Sequence, residues 1–195
     1  MNFALRLSSA TIRLMNKREV ILNADQLRKG KGESVKSKVN KQEIYIILDN
    51  VLDTYNIGSV FRLADAVAAK KLYLCGGTET PPNHRIKKAA INTTEVVDWE
   101  YCESTLDAIK KLKKEVKSIQ IISIEQAANS IQYDKYEYIL PTALIVGHES
   151  DGISQEVMDA SDAVIELPMF GINKSLNVMV SLGIILYKVV ERLAP

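Results

Sequence analysis

Short runs of apolar residues, each long enough for one β-strand, recur along this chain from residue 44 onwards. Between several of them the apolar residues follow helical spacing, and this alternation predicts a parallel sheet buried on both faces. The predicted strands are Ile44–Leu48, Lys71–Cys75, Val96–Trp99, Ile119–Ile122, Ala143–Val146 and Ala163–Glu166, and the predicted helices are Ile57–Ala68, Ser104–Val116 and Leu176–Leu193. The expected fold class is therefore α/β, with a mostly parallel sheet.

The first 42 residues follow a different pattern. Apolar positions within residues 4–22 are compatible with an amphipathic helix. Leu27–Gln42 is rich in Lys, Gly and Ser and has almost nothing to bury, which predicts a flexible linker. We therefore expect two parts, a basic N-terminal helix and linker over residues 1–42 and a folded domain over residues 43–195.

Charge divides the chain at the same place. Residues 1–42 hold 10 Lys and Arg against 3 Asp and Glu, a net charge of +7, while residues 43–195 hold 15 against 21, a net charge of −6. A basic arm on an acidic domain is typical of contact with the phosphate backbone of a nucleic acid, but also of a solvated extension without a partner. Charge alone leaves both interpretations open.

Composition narrows the class of protein. The 195 residues, 47% of them hydrophobic and 25% charged, are typical of a globular domain with a substantial core. No apolar run approaches the roughly 20 residues that cross a bilayer, and the N-terminus lacks the continuous apolar core of a secretory signal. Cys75 and Cys102 predict neither a disulfide framework nor a metal site. We therefore expect a cytoplasmic protein without membrane contact or bound metal.

Polar residues and glycines gather directly after several predicted strands. Because parallel strands bring their carboxyl ends to one edge of a sheet, these clusters predict a site on one side of the domain. The three clusters that carry most chemistry are Asn56–Arg62, Gly147–Ser154 and Leu167–Val178.

The cluster Asn56–Arg62 has structural as well as functional interpretations. Asn56 could cap the following helix. Arg62 stands in an otherwise apolar helix and needs an anionic partner, either a phosphate or the carboxylate of Asp65 or Glu149. Taken alone, a structural ion pair is the better interpretation of this arginine.

The other two clusters resist the commonest interpretations. Gly147–Ser154 matches neither a phosphate-binding loop nor a dinucleotide-binding fingerprint. We interpret His148 as a hydrogen-bonding group of this loop, since nothing nearby resembles a nucleophile–histidine–carboxylate set. In Leu167–Val178, Ser175 or Asn177 could cap the final helix, but a cap accounts for only one of the polar residues there. The excess predicts a ligand site at the mouth of that helix.

The order and spacing of the three clusters resemble the motifs of one family. In chain order they read Asn56-x-Gly58-x-x-x-Arg62, then Gly147-x-Glu149-x-x-Gly152-Ile153-Ser154, then Leu167-Pro168-Met169-x-Gly171-x-x-x-Ser175-Leu176-Asn177-Val178. They are similar to the three motifs of the SpoU/TrmH family of RNA 2′-O-ribose methyltransferases. The resemblance covers about residues 43–193, which is nearly the whole predicted domain.

The resemblance implies a fold, a reaction and a set of residues. The fold would be the SPOUT α/β knot, with a deep trefoil knot near the C-terminus, in a homodimer whose site lies near the interface. The reaction would transfer a methyl group from S-adenosylmethionine to a ribose 2′-hydroxyl of transfer RNA or ribosomal RNA. The implied cofactor-binding residues are Gly147, Leu167, Leu176, Ile124, Met169 and Gly171, and the implied catalytic residues are Arg62, Asn56, Glu149, Ser175 and Asn177. Arg62 would act mainly by its charge on phosphate and developing alkoxide, and the other four would orient it and shape the cofactor loops.

The sequence departs from the family pattern in two places. Ala90–Thr94 replaces a segment in which relatives usually carry Gly-Ala, so the resemblance does not say how the acceptor nucleotide is held. Met179–Ser181 replaces the usual Ser-Val-Ala at positions expected to pack inside the final helix. The alternative function is a non-catalytic RNA-binding relative, while the missing phosphate-loop fingerprints disfavour a nucleotide-dependent α/β enzyme. The motifs name neither the target RNA nor its nucleotide.

Overall fold

Seven strands form one parallel sheet in the computed structural model, which describes residues 22–191. From one edge to the other the strands run in the order β3-β2-β1-β6-β4-β7-β5, and every strand pair in the sheet is parallel. Their bounds are β1 Gln42–Asp49, β2 Ala69–Cys75, β3 Trp99–Cys102, β4 Gln120–Ile124, β5 Ile131–Gln132, β6 Thr142–Val146 and β7 Ala163–Glu166. The predicted α/β class with a parallel sheet is confirmed.

Helices cover both faces of this sheet. The α-helices are α1 Ala24–Arg28, α2 Thr54–Ala66, α3 His84–Ala90, α4 Thr105–Glu115, α5 Gln155–Ala160 and α6 Val178–Glu191, with short 3-10 helices at Glu33–Lys38 and Thr93–Glu95. The helices α2, α3 and α6 pack on one face, and α4 and α5 pack on the other. Strand β1 supplies both cores by alternation, since Ile44, Ile46 and Leu48 enter the first and Tyr45 and Ile47 the second.

Side-chain caps fix where the helices begin. Asp53 caps α2 by accepting a hydrogen bond from the Tyr55 N–H at 2.8 Å, so the prediction that Asn56 caps this helix is wrong. Asn56 lies one turn further on, inside the helix and buried. Asn177 caps α6 by accepting from the Met179 N–H at 3.0 Å. The last helix therefore begins at Val178, two residues later than predicted, and the part of its predicted range beyond residue 191 lies outside the described residues.

Several other elements differ from the sequence-based expectation. The third strand is Trp99–Cys102 rather than Val96–Trp99, because the preceding valines are buried against a 3-10 turn whose Thr93 carbonyl accepts from the Val97 N–H. The helices α3 and α5 and the two-residue strand β5 were not predicted. Each of these three elements has at most seven residues, too few for a clear periodic pattern.

The segment before β1 is folded onto the domain, where the sequence predicts a flexible linker. The side chain of Asn92 donates to the carbonyls of Leu27 at 3.3 Å and Arg28 at 3.4 Å, and Lys36 forms an ion pair with Asp98 at 2.6 Å. Gly32 is buried against Val96. These contacts use backbone groups and a glycine, which an apolar pattern does not reveal. The helix predicted within residues 4–22 lies almost wholly outside the described residues, and the domain boundary at residue 42 stays a prediction.

Candidate active site

A cleft of about 690 Å³ opens at the carboxyl ends of β4, β6 and β7. The loops that follow these three strands form its walls, and α6 begins at its rim. Strand β6 lies next to β1 although it comes much later in the chain, so the loop after β6 meets the start of α2. Such crossover points beyond the carboxyl ends of parallel strands are where ligands bind in α/β proteins.

Five of the six predicted cofactor residues line this cleft. They are Ile124, Gly147, Leu167, Met169 and Leu176. Leu176 leaves 42% of its surface exposed there, and Ile124, Leu167 and Met169 are half-buried. The sixth, Gly171, is not part of the cleft wall, and a Cβ added to it would meet no atom within 4 Å.

Gly147 is required by the turn it begins. A Cβ at this position would lie 2.5 Å from the carbonyl carbon of Gly152 and 2.7 Å from Cγ1 of Ile153. The turn closes through two backbone hydrogen bonds between His148 and Gly152, at 3.0 and 3.2 Å. Because Gly147 has no side chain, the two ends of this turn can approach each other this closely.

His148 stabilises the same turn. Its Nδ1 accepts hydrogen bonds from the backbone N–H groups of Ser150 and Asp151, each at 3.1 Å. The prediction that His148 is a hydrogen-bonding group of the loop is confirmed.

A chain of hydrogen bonds joins the three sequence clusters. Asn177 Nδ2 donates to Asn56 Oδ1 at 3.0 Å, and Asn56 Nδ2 donates to Glu149 Oε1 at 3.0 Å. The carboxylate of Glu149 also accepts from the backbone N–H groups of Leu52 at 3.1 Å and Asp53 at 3.0 Å. Residues up to 121 positions apart are thus held together at the mouth of the cleft.

These hydrogen bonds keep Glu149 ionised. Partial burial alone would raise the pKa of this carboxyl, but donation from the Asn56 amide and from the backbone of Leu52 and Asp53 outweighs it, so the pKa lies below its ordinary value. A carboxylate has acceptors only, so each donor around it has a defined partner.

Arg62 lies exposed on α2, six residues after Asn56 and so about 9 Å further along the helix axis. Within residues 22–191 its guanidinium forms no ion pair and no hydrogen bond, so the structural pair with Asp65 or Glu149 is not found there. The carboxyl of Asp65 is instead partly buried, and this burial raises its pKa. The positive charge of Lys41 lowers the same pKa by a smaller amount. Among the described residues this exposed guanidinium therefore has no anionic partner.

Ser175 lies at the mouth of the cleft next to the cap residue. Its N–H donates to Asn173 Oδ1 at 3.3 Å, and the residue is exposed. Of the two candidates for the helix cap, Asn177 takes that position and Ser175 does not.

Two site residues escaped the sequence-based reasoning. Glu125 Oε2 accepts from the Ile153 N–H at 3.1 Å, and Gln126 Nε2 donates to the Lys174 carbonyl at 2.7 Å. These side chains tie the loop after β4 to the loops after β6 and β7. Position was the only signal for these two residues, since they come three and four residues after the end of the predicted fourth strand.

Most backbone donors in the loop after β7 have no acceptor among the described residues. From Met169 to Lys174, no backbone N–H donates to another of the described residues. Free amide donors beside the apolar side chains of Leu167 and Leu176 suit a ligand that has both an aromatic ring and polar groups. The adenosine and amino-acid parts of S-adenosylmethionine have this character, so the residues present fit that cofactor.

Neither a metal site nor a membrane-spanning helix is found in the described part of the chain. No group of three His, Cys, Asp or Glu side chains there could hold a metal ion. No helix there has both the length and the apolar character to cross a membrane.

Comparisons with known proteins agree with this geometry. The SpoU rRNA Methylase family matches residues 43–187. The tRNA (guanosine(18)-2′-O)-methyltransferase of Aquifex aeolicus is 32% identical over 152 residues, which are 76% of this chain and 69% of that protein. The enzyme of the same description from Escherichia coli K12 is 28% identical over 149 residues, 75% of this chain and 62% of its own.

A solved structure with a similar fold is also described as an RNA methyltransferase. A crystal structure of an AdoMet-bound rRNA methyltransferase from Sinorhizobium meliloti superposes with a TM-score of 0.72 at 26% identity, covering 82% of this chain and 61% of that chain. This chain thus spans a little under two thirds of the length of the E. coli and S. meliloti proteins. The family match covers most of the chain and contains all three clusters joined at the cleft. The chain belongs to the SpoU rRNA methylase family.

Proposed function

We propose that this protein transfers a methyl group from S-adenosylmethionine to a ribose 2′-hydroxyl of transfer RNA or ribosomal RNA. The observation that carries the proposal is the hydrogen-bonded chain Asn177–Asn56–Glu149, which joins the three sequence clusters at the mouth of a ligand-sized cleft. Arg62, which has no ion pair among the described residues, lies on the same helix as Asn56. The substrate class is supported by the relatives, which are named as tRNA and rRNA methyltransferases.

The cleft would hold S-adenosylmethionine. Its volume of about 690 Å³ lies within the range of small-molecule sites, roughly 300 to 1,000 Å³. Ile124, Leu167, Met169 and Leu176 would supply the apolar contacts. The backbone amides of Met169, Asn173 and Lys174, which are unpaired among the described residues, would supply donors. The bound cofactor supplies an electrophilic methyl group. The threading of the loop after β7 into a deep trefoil knot also belongs to this proposal. The end of this loop contacts the loop after β4 through Gln126 and helix α2 through Asn56.

Arg62 would act on the acceptor ribose. A guanidinium has a pKa above about 12 and is therefore a poor base, so its charge is the useful property. We assign it to the stabilisation of the developing alkoxide and of an adjacent phosphate. Asn56, Glu149 and Asn177 would hold the helix of Arg62 in register with the cleft, and exposed Ser175 would contact ligand at the mouth.

The active form would be a homodimer in the cytoplasm. An apolar stripe on α6 supports dimerisation, because Val180, Ile184 and Tyr187 leave 39%, 39% and 58% of their surfaces exposed at a spacing that puts them on one side of the helix. The unpaired thiols Cys75 and Cys102 are consistent with a reducing compartment.

Two measurements on the full chain test the proposal. Isothermal titration should detect S-adenosylmethionine binding, and incubation of RNA from a deletion strain with a tritiated methyl donor should give label in ribose 2′-O-methyl groups. Absence of cofactor binding by the folded protein contradicts the proposal. RNA binding without any methyl transfer would favour the non-catalytic relative instead.

A further inference from the structure

Two basic segments that lie far apart in sequence meet on the surface of this protein. One is the segment folded onto the domain before β1, and the other is helix α3. Asn92 connects them, because its N–H donates to the Lys87 carbonyl at the end of α3 while its side chain donates to the carbonyls of Leu27 and Arg28 at the end of α1. The C-termini of the two helices therefore lie side by side.

Four cations in α1, just after it and in α3 have no ion-pair partner among the described residues. Arg28, Lys31, Arg85 and Lys88 are exposed, and within residues 22–191 none of them forms an ion pair. Their neighbours differ, since Lys29 pairs with Asp25, Lys36 with Asp98 and Lys87 with Glu95. We call the set Arg28, Lys31, Arg85 and Lys88 the basic surface. Its charges are free to meet an anion from outside the chain.

The basic surface lies next to the helix that carries Arg62. Helix α3 packs so closely on α2 that a Cβ on Gly58 would lie 2.6 Å from Ala89 Cβ and 2.7 Å from the Ile86 carbonyl oxygen. Arg62 follows Gly58 by four residues, about one turn, so it is exposed near the α3 contact. The free cations of α3 and the guanidinium of Arg62 thus face solvent on neighbouring helices.

This concentration of positive charge is not a consequence of the overall charge. Residues 43–195 carry a net charge of −6, and α3 nevertheless keeps two cations, Arg85 and Lys88, without an ion pair among the described residues. Phosphates spaced regularly along a nucleic acid are the anions that several separated cations contact at once.

We propose that the basic surface binds the phosphate backbone of RNA and leads the strand towards Arg62. The choice of RNA as the anion rests on the proposed function. The role assigned to the folded segment is specific, because Arg28 and Lys31 would contact the strand as part of the rigid domain and not as a free tail. The surface would position RNA without reading its sequence, since phosphate contacts carry no sequence information.

Double substitutions in the full chain, each removing two positive charges, test this surface. One variant carries Arg28→Gln and Lys31→Gln, and a second carries Arg85→Gln and Lys88→Gln. The control carries Lys114→Gln and Lys117→Gln. These two exposed lysines form no ion pair among the described residues and lie at and just beyond the end of α4, on the opposite face of the sheet, so the control removes the same charge. The affinity of each protein for an unmodified transfer RNA transcript is measured at several salt concentrations, with S-adenosylmethionine affinity measured in parallel.

The slope of log affinity against log salt is negative, and each surface variant should reduce its magnitude by about 1.5 to 2, close to one per lost phosphate contact. The control should keep the wild-type slope, and cofactor affinity should stay the same in all variants. Equal slopes in the wild type and both surface variants, an equal loss in the control, or a wild type that does not bind RNA would each overturn the proposal. Slopes that fall as expected in a protein with no methyl transfer would leave the surface standing while the proposed function fails.

Discussion

Asn56 joins the parts of the site because an amide side chain both donates and accepts. Its nitrogen donates to Glu149 and its oxygen accepts from Asn177, so neither an aspartate nor a leucine of similar size could make both bonds. The residue is only 6% exposed, so the loss of either bond would leave a polar group poorly solvated. At the residue scale, the site consists of a fixed amide–carboxylate chain and one free guanidinium.

Removal of the guanidinium should separate chemistry from cofactor binding. In Arg62→Ala, we expect kcat/KM for methyl transfer to fall by about 10² to 10³, the usual loss when one charge-stabilising donor is removed. S-adenosylmethionine affinity should stay within about twofold, because the exposed Arg62 is not part of the cleft wall. Tritium transfer and calorimetry measure the two quantities. Full activity of Arg62→Ala would contradict the assigned role.

The carboxylate of Glu149 makes stability depend on pH. Its folded pKa lies below the ordinary value of 4.5, so its contribution is present above about pH 4.5 and is lost as pH falls through the folded pKa. Glu149→Gln should therefore be less stable than wild type at neutral pH, by less than about 1 kcal/mol given the exposure of the group, and should lose less stability on acidification. Urea unfolding at several pH values measures this, with the exposed Glu137→Gln as control. Parallel curves for wild type and Glu149→Gln would contradict the expectation.

At the scale of elements, helix α2 is held by close contacts on two sides. On one side Gly58 lets α3 approach within backbone contact, and on the other side Leu63 packs against Gly183 of α6. Because α2 carries both Asn56 and Arg62, the position of these two neighbouring helices determines where the site lies.

The two glycines of these contacts should respond in opposite ways to a methyl group. Gly58→Ala should destabilise the fold by about 1 to 3 kcal/mol, because the new Cβ would meet the backbone of α3 at 2.7 Å. Gly183→Ala should be neutral or stabilise by up to about 1 kcal/mol, since its Cβ would lie an ordinary 3.5 Å from Leu63 within a helix. Thermal unfolding of both variants measures the difference. A stable Gly58→Ala protein would show that α3 can move away.

The elements with strong periodicity were predictable from the sequence, and those defined by contacts were not. Strands such as Ala143–Val146 are buried on both faces and read as continuous apolar runs. The helix α3 has only two buried residues and no apolar stripe, because its packing depends on Gly58 in another helix. The motif residues Asn56, Glu149 and Asn177 were expected at one edge of the sheet, but their mutual hydrogen bonds depend on strand order, which a single sequence does not give.

At the scale of the whole molecule, strand order brings distant parts of the chain together. Insertion of β6 between β1 and β4 sets the loop of Glu149 beside the start of α2, and the loop after β7 then reaches the same place from the other side. The site therefore forms only when β1, β4, β6 and β7 have come together in the sheet.

The proposed dimer should depend on the exposed stripe of α6. Replacing Ile184 with Glu should shift the protein to monomer, with a dimer dissociation constant raised by about 30-fold or more, because a charge would be buried at the interface. Ile139→Glu is a matched control, since Ile139 is 55% exposed and lies outside α6. Light scattering after size exclusion gives the mass in each case. A monomeric wild type, or a dimer that tolerates the change at Ile184, would contradict the assignment.

The amides of the loop after β7 make ligand binding in the cleft observable without a labelled ligand. From Met169 to Lys174 no backbone N–H is paired within the described residues, so these amides should exchange with deuterium at close to the rate of an unstructured peptide. A ligand that accepts hydrogen bonds from them should slow this exchange, whereas the amides of β6 should stay protected throughout. Mass spectrometry of a single peptide would then report occupancy of the site, even for compounds that are never turned over.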